Sequence, residues 1–412
     1  MAEYLIQGET LTGIADAIRG KTGGTDPVAV SDMAAAIRAI QAGGSTPAAP
    51  VGHKNVNFYD YDGTLVASYT LEEAQALNVL PNGPAHDGLV FRGWNWSLED
   101  VKAMTRPVNV GAMYITDDGK TRLHIRVWDK ARSNVPLYFS QTIASGVTID
   151  WGDGSAAETL AGTGNVNTAH QYAAAGDYTI SLAVADGCTL GLGHASFGYC
   201  IMGSTGNAGR VYCNLLQVVN IGANVTSIGD SAFESCSSLA SITIPDGVTS
   251  IGDSAFASCS SLASITIPDG VTSIGSYAFE SCYSLASITI PDGVTSIGEA
   301  AFAYCYSLAS ITIPDGVTSI GDSAFDSCYS LASITIPDGV TSIISYAFNS
   351  CYGMAEYHLK PTTPPALANT NAFNGISSDC IIYVPKGSLE DYQSATNWAT
   401  YADYMREEDV AA

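Results

Sequence analysis

Basic residues are scarce in this sequence, and charges of either sign are few. The 412 residues include 16 lysines and arginines against 40 aspartates and glutamates, so the formal net charge at pH 7 is −24. A chain this acidic repels the phosphates of nucleic acids and the headgroups of anionic membranes. We therefore expect neither nucleic acid nor an anionic membrane among its partners.

Long hydrophobic runs are lacking as well. No apolar segment approaches the ~18 residues of a membrane-spanning helix, so we expect no membrane insertion. The opening residues, Met1-Ala2-Glu3-Tyr4, show neither the basic start nor the apolar stretch of a signal peptide. We therefore expect synthesis in the cytoplasm, where cysteines stay reduced.

Sequence motifs for catalysis or metal binding are not found. There is no H-E-x-x-H pattern, no G-x-S-x-G pattern and no C-x-x-C pair. The sequence thus predicts no catalytic residue, no metal site and no cofactor. The six histidines fall in separate parts of the chain: His53, His86, His124, His170, His194 and His358.

The dominant feature that is present is a 23-residue repeat between Cys213 and Cys351. Its pattern is L-A-S-I-T-I-P-D-G-V-T-S-I-G-x-x-A-F-x-x-C-x-S, and self-similarity at a fixed period predicts a solenoid. In the unit that starts at Leu239, Ile242 and Ile244 share one side of a short strand, which a Pro-Asp-Gly turn ends. The A-F-x-x-C segment supplies the inner face of a short helix or helical turn. One repeat cannot offset its own ordering entropy, so the repeats must stack.

Two columns of the repeat are expected in the core. Phenylalanine recurs as an apolar stack, and cysteine packs as a small hydrophobe, which favours a ladder of buried free thiols. Stacked neighbours about 5 Å apart would also lie within disulfide range, and no pairing is singled out. The phenylalanines are Phe233, Phe256, Phe279, Phe302, Phe325 and Phe348. The cysteines are Cys213, Cys236, Cys259, Cys282, Cys305, Cys328 and Cys351.

Aspartates of the Pro-Asp-Gly turns also align between repeats. A carboxylate ladder could bind calcium, but turn chemistry at a solvated edge accounts for the same residues and is the favoured interpretation. The column contains Asp246, Asp269, Asp292, Asp315 and Asp338.

Tyrosines are the candidate ligand-binding residues. They lie on an otherwise Ser-, Thr- and Asp-rich surface, and tyrosine makes amphipathic contacts at a low entropic cost. We predict that they bind sugar rings or protein; the alternative is that they stack on one another and cover the helical layer. Four follow the cysteine column: Tyr283, Tyr306, Tyr329 and Tyr352. Three more lie nearby on the helical side: Tyr277, Tyr304 and Tyr346.

The L-x-x-I-x-I strand, the I-P-D-G-V-T-S-I-G segment and the A-F-x-x-C end resemble the BspA-like class of leucine-rich repeats. That resemblance implies a curved or rod-like parallel-sheet solenoid used for ligand or surface recognition and not for catalysis. Five close copies start at Leu239, Leu262, Leu285, Leu308 and Leu331, and a divergent first copy starts at Leu216.

The N-terminal segment, residues 1–44, has the apolar spacing of two short amphipathic helices, and residues 45–52 form a linker. The string Y-L-I-Q-G-E-T-L-T-G-I-A-D-A-I-R-G-K-T-G resembles the N-termini of tail-associated proteins in phages and prophages of Gram-positive gut bacteria. The resemblance implies attachment to other tail or baseplate proteins and a homo-oligomer, with a trimer as one option.

Two β-rich modules and two caps complete the predicted organisation. Residues 53–105, with F-Y-D-Y-D-G-T and G-L-V-F-R-G-W, resemble the internalin-type β-grasp repeat. Residues 106–186, with W-G-D-G-S, H-x-Y and G-x-Y-T-I-S-L, resemble the immunoglobulin-like PKD sandwich. Residues 187–212 are predicted to cap the N-terminal end of the repeats at 213–358, and residues 359–412 the C-terminal end.

The sequence therefore predicts a multidomain, mainly β protein with short helices. Its predicted function is non-enzymatic: a phage or prophage tail-fibre or receptor-binding protein that recognises a bacterial surface polysaccharide or protein through the solenoid, located in the virion. The alternative is a bacterial cell-surface adhesin of the BspA or internalin type, and a glycan-cleaving tail enzyme is a third possibility.

Overall fold

The computed structural model describes residues 56–60, 65–86, 89–94, 98–103, 108–116, 118–193, 199–204 and 210–408. The predicted N-terminal helical segment (1–44) and linker (45–52) lie outside the described residues. Within the described ranges, no helix combines the length and apolar character needed to cross a membrane.

The first module is a four-stranded sheet in the order β2-β1-β4-β3, with β1 and β4 parallel and both outer strands antiparallel to their neighbours. Phe58, Trp94 and Tyr114 pack in its core. Helix α1 begins after Thr70, whose side chain accepts from the Glu73 backbone while Glu73 accepts from the Thr70 backbone. The elements are β1 (Val56–Tyr59), β2 (Leu65–Tyr69), α1 (Leu71–Gln75), β3 (Leu89–Trp94), α2 (Leu98–Ala103) and β4 (Val108–Thr116). Strand β4 falls within the residues predicted for the second module, yet it pairs in this first sheet.

The second module is a sandwich of two antiparallel sheets. One contains β5, β10, β7 and β8, and the other contains β11, β6 and β9. In β5 alternate residues are buried, so one face of the strand lies in the core. The strands are β5 (Thr121–Val127), β6 (Asn134–Gln141), β7 (Val147–Asp150), β8 (Glu158–Thr159), β9 (Gly164–Gln171), β10 (Gly176–Val184) and β11 (Leu190–Leu192), with a 3-10 helix at Lys130–Arg132.

The W-G-D-G turn of this sandwich is held by its own side chains. Asp153 accepts a hydrogen bond from the Ser155 amide and pairs with His170 at 2.8 Å. These hydrogen bonds lower the pKa of Asp153. Trp151 stacks on His170, and the Tyr172 hydroxyl donates to the Trp151 carbonyl. Asp153 thus serves the turn, as the sequence favoured.

The sandwich continues directly into the solenoid. Strand β14 pairs antiparallel with β5 and parallel with the first repeat strand, β15. On the other side, isolated bridges link Leu192 to Ile228 and Ile228 to Ile251. One hydrophobic core therefore runs from Leu123 to Met405. The connecting elements are β12 (Tyr199–Cys200), β13 (Gly203–Ser204), α3 (Arg210–Cys213) and β14 (Leu216–Asn220).

One cysteine prediction is wrong. The end of α3 lies against β12, and a disulfide joins Cys213 to Cys200. Cys213 therefore leaves the predicted ladder of free thiols. The other six cysteines of that ladder are free and buried.

The repeats form two ladders of short parallel strands. In the first, Ile265, Ile288 and Ile311 lie opposite one another at steps of 23 residues. Its strands are β15 (Ser241–Thr243), β17 (Ser264–Thr266), β19 (Ser287–Thr289), β21 (Ser310–Thr312), β23 (Ser333–Ile336), β25 (Glu356–Leu359), β27 (Ile381–Val384) and β28 (Met405–Glu407). The strands of the second are β16 (Ser250–Ile251), β18 (Ser273–Ile274), β20 (Ser296–Ile297), β22 (Ser319–Ile320), β24 (Ser342–Ile343) and β26 (Ala366–Leu367). The A-F-x-x-C segments are hydrogen-bonded turns on the remaining side.

The C-terminal end of the core is covered by α4 (Leu389–Ser394) and a 3-10 helix (Trp398–Tyr404). Trp398 is buried against Phe373, and its indole N–H donates to the Pro365 carbonyl at 2.7 Å. The last exposed face of the phenylalanine stack is thereby closed.

Candidate functional site

Each repeat separates an inner aromatic column from an outer one. The predicted phenylalanine column is confirmed: its rings are buried and stack at centroid distances of 5.3–5.5 Å. Phe373 in the C-terminal cap adds a seventh ring. This column stabilises the solenoid and offers nothing to a ligand.

The cysteine column beside it is chemically quiet. The Sγ atom of Cys259 donates to the Phe233 carbonyl at 3.1 Å, and the four cysteines that follow repeat this contact with the preceding coil. Burial raises the pKa of Cys282 and of Cys351 to about 12. Because the thiolate is the reactive form, these thiols are poor nucleophiles and poor metal ligands at neutral pH.

Four tyrosines form the outer column, which we call the tyrosine ladder: Tyr283, Tyr306, Tyr329 and Tyr352. Successive ring centroids are 5.0, 4.8 and 5.6 Å apart, and the planes differ by at most 18°. The four residues are nevertheless 44%, 37%, 42% and 63% exposed. Both sequence-based alternatives therefore describe part of the geometry, since the rings stack on one another and remain at the surface.

The stacking determines which atoms a ligand can reach. The two inner rings have a tyrosine on each face, so they present ring edges and hydroxyl groups to solvent. Only the outward faces of Tyr283 and Tyr352 have no tyrosine against them. The ladder is thus an edge-and-hydroxyl surface with one aromatic face at each end.

The other three predicted tyrosines occupy different positions. Tyr304 meets Tyr306 edge to face at 6.3 Å and so borders the ladder. Tyr277 hydrogen-bonds to Glu299, which raises the pKa of Tyr277 to about 12. Among the described residues, no ring contact joins Tyr277 or Tyr346 to the ladder. The seven candidates are therefore one cluster of five and two separate residues.

These three tyrosines also share an unusual backbone. Tyr277, Tyr304 and Tyr346 have φ values of 59°, 60° and 55°, in the left-handed region that bulky residues rarely adopt. Serine or alanine takes the same conformation at the matching positions of other repeats, for example Ser323 and Ala300. The fold therefore requires the conformation but not the tyrosine.

The charge of the repeat region is one-sided. Residues 211–359 contain 13 aspartates and glutamates and neither lysine nor arginine. The Pro-Asp-Gly aspartates are exposed along one edge, and the charge of Asp326 raises the pKa of Tyr304. This surface disfavours anionic ligands and suits neutral or basic ones.

A cluster of cysteines was missed by sequence reasoning, because Cys200 lies outside the repeats. The Sγ atoms of Cys200, Cys213 and Cys236 lie within 4.8 Å of one another, and in the described ranges no other group of three His, Cys, Asp or Glu side chains could hold a metal ion. The disulfide uses two of these sulfurs. The oxidised cluster therefore offers a single thiol and not a metal site.

A second concave feature lies between the first sheet and the first repeats. It is a cavity of about 180 Å³ lined by Tyr59, Asp60, Ser241 and Ser264 among others. Asp60 pairs with His86 at 2.7 Å. The sequence pattern gave no signal for this pair, because the two residues are 26 positions apart in a non-repetitive module.

Comparison with known proteins identifies the repeat region. The profile of the BspA type leucine-rich repeat region matches residues 211–328 and 272–392, with six copies. Residues 211–392 are a BspA-type leucine-rich repeat region. This match covers less than half of the chain, and no curated protein matches it.

Several solved leucine-rich repeat structures are similar to part of the chain. One from Bacteroides ovatus is 31% identical over 43% of this chain and 51% of its own, with a TM-score of 0.38. One from T. pallidum is 29% identical over 43% of this chain and 77% of its own, with a TM-score of 0.34. A leucine rich cell surface protein from Faecalibacterium prausnitzii is 25% identical over 48% of this chain and 65% of its own, with a TM-score of 0.27. The chain thus spans about half the length of the Bacteroides ovatus protein.

Proposed function

We propose that this chain is a non-enzymatic binding protein, and that it acts as a tail-fibre or receptor-binding protein of a phage or prophage. The leucine-rich repeats would recognise a polysaccharide or protein on a bacterial surface. The observation that carries this proposal is the tyrosine ladder: a column of exposed, stacked rings on a repeat region that is otherwise polar and acidic.

The tyrosines are not needed to build the fold. Ser237 and Ser260 take the ladder position in the first two repeats, and serine or alanine takes the left-handed positions elsewhere. A left-handed residue other than glycine costs about 1–2 kcal/mol, and exposed aromatic rings promote unwanted association. Tyrosine at these positions is therefore best accounted for by a contact with another molecule.

The remaining modules fit this role. The sheet order β2-β1-β4-β3 with a parallel central pair supports our assignment of the first module to the internalin-type β-grasp class. The two-sheet sandwich with its W-G-D-G turn supports a PKD-like second module. Residues 1–44 would bind other tail or baseplate proteins and hold the chain as a homo-oligomer, on the strength of their sequence resemblance alone. Several copies on one virion would turn weak contacts into tight attachment.

The alternative is an adhesin on the bacterial surface, which would use the same repeats and the same ladder. Immunogold labelling of the producing culture separates the two. Label on phage particles supports the tail protein, and label on cell walls without particles supports the adhesin.

The binding proposal itself is tested by attachment of the purified full chain to a panel of gut bacterial cells. Simultaneous Tyr283→Ser, Tyr306→Ser and Tyr329→Ser substitutions should abolish attachment, because they remove three rungs and leave the core intact. A circular dichroism spectrum equal to that of the wild type verifies folding. Attachment of the folded triple variant at wild-type levels would overturn the proposal.

A further inference from the structure

The end of the tyrosine ladder differs chemically from its middle. A ring that packs between two others needs roughly 3.5–4.0 Å on each side, or about 7–8 Å between its neighbours. The rungs are only 4.8–5.6 Å apart. No sugar ring or peptide group can therefore insert between them, and a face-to-face contact is available at the ends alone.

Tyr352 offers the more open of the two end faces. It is 63% exposed, the most of the four ladder residues. The next coil approaches it with Gly375, where an added Cβ would lie 3.0 Å from the Tyr352 Cε1 atom. Gly375 has a φ of 81°, which other residues rarely adopt. The backbone at this point therefore keeps side chains away from the ring.

Amide groups lie next to this open ring. Asn374 precedes Gly375, is exposed, and donates its Nδ2 to the Asn349 Oδ1 at 2.8 Å. Asn349 in turn donates to the Asp326 Oδ1 at 2.7 Å. This chain fixes the orientation of the Asn374 amide and turns its Oδ1 away from Asn349. Among the described residues, that oxygen has no hydrogen-bond donor, so it can accept from a ligand hydroxyl.

We propose that the open face of Tyr352, above Gly375 and beside Asn374, is a stacking site for a neutral pyranose ring of a bacterial glycan. The apolar C–H face of the sugar packs on the aromatic face, while a sugar hydroxyl donates to the Asn374 Oδ1. The lack of lysine and arginine in residues 211–359 excludes recognition of phosphate or carboxylate groups here. The inference rests on the proposed binding function of the ladder and names its ligand.

The test is an array of neutral bacterial polysaccharides, probed with the purified full chain and compared with anionic teichoic acid. We expect binding to at least one neutral polysaccharide and none to teichoic acid. Tyr352→Ala should weaken the binding at least tenfold, because the stacking face is lost. Tyr352→Phe should stay within about threefold of the wild type, because the face is kept.

Tyr346→Ala is the matched control. Tyr346 is exposed and lies in the same repeat, but it makes no ring contact with the ladder among the described residues, so its loss should leave glycan binding unchanged. Asn374→Ala should weaken binding less than Tyr352→Ala does. Far-UV circular dichroism of each variant verifies that the solenoid is folded.

Three results would overturn the inference: no binding to any neutral polysaccharide, full binding by Tyr352→Ala, or an equal loss in Tyr352→Phe and Tyr352→Ala. The last would show that the hydroxyl and not the ring face matters. If Tyr352→Ala binds normally but the triple serine variant does not attach to cells, the end site is wrong and the ladder still binds. If both variants behave as the wild type, the proposed function fails too.

Discussion

Phe302→Ala and Tyr306→Ala form a matched pair that tests the division of labour within one repeat. Both rings stack between two like rings, at 5.5 Å on either side for Phe302 and at 5.0 and 4.8 Å for Tyr306. They differ in burial, since Phe302 is 0% and Tyr306 is 37% exposed. The comparison therefore isolates what burial in the solenoid core adds to stacking.

The magnitudes follow from that difference. Truncation of a fully buried phenylalanine costs about 3–5 kcal/mol, because apolar area is lost and a cavity remains. At Tyr306 two aromatic contacts of about 0.5–1.5 kcal/mol each are lost, but solvent fills the space and no cavity forms. We expect the free energy of unfolding to fall by about 1–2 kcal/mol for Tyr306→Ala and by at least twice that for Phe302→Ala.

Urea unfolding followed by far-UV circular dichroism is the suitable assay. The five tryptophans all lie outside the repeats, so tryptophan fluorescence would report on other modules. The midpoints should be compared at a common slope, because a changed slope indicates that the array no longer unfolds as one unit. Equal losses for the two variants, or a loss below 1 kcal/mol for Phe302→Ala, would refute the assignment of the phenylalanine column as the stabilising one.

Three further outcomes are expected. Burial lowers the pKa of His124, which lies between Asn220 and Thr179, so the unfolded chain binds more protons there and stability should fall as the pH drops below the unfolded value of about 6.5. Urea midpoints at pH 7.5 and 5.5 should therefore differ less in His124→Gln than in the wild type, and an equal difference would contradict this cause. A thiol reagent should find almost no reactive cysteine in the native chain and eight after denaturation without reductant; rapid native labelling of several thiols would show that the cysteine column is open. Trp398→Ala should lower stability by about 3–5 kcal/mol, because it uncovers the end of the phenylalanine stack, and an unchanged urea midpoint would show that the C-terminal cap is dispensable.

The solenoid could be predicted because its signal is local and repeated. The 23-residue period fixes which side chains stack, so the phenylalanine column and the strands at Ile242 and Ile265 follow from spacing alone. Partners without that period gave no such signal. Cys200 lies outside the repeats, so its disulfide to Cys213 could not be foreseen. The alternation in Val108–Thr116 indicates a strand but not the sheet that it joins.

The candidate site was predictable in composition but not in geometry. Spacing placed Tyr283, Tyr306 and Tyr329 in one column, yet stacking and exposure were equally compatible with it. Which faces are open depends on the residue in the next coil, and Gly375 lies where the period of 23 has already broken down. The cluster of Tyr304 with the ladder likewise depends on backbone conformation, which spacing does not encode.

Attachment of the folded Tyr283→Ser, Tyr306→Ser, Tyr329→Ser variant to bacterial cells tests the central claim most directly. Flow cytometry of labelled protein, over a concentration series that saturates the wild type, gives the comparison. The claim predicts that the variant keeps its unfolding midpoint within about 2 kcal/mol per rung and loses cell attachment. A variant that is folded and still saturates the same cells at the same concentrations would contradict it.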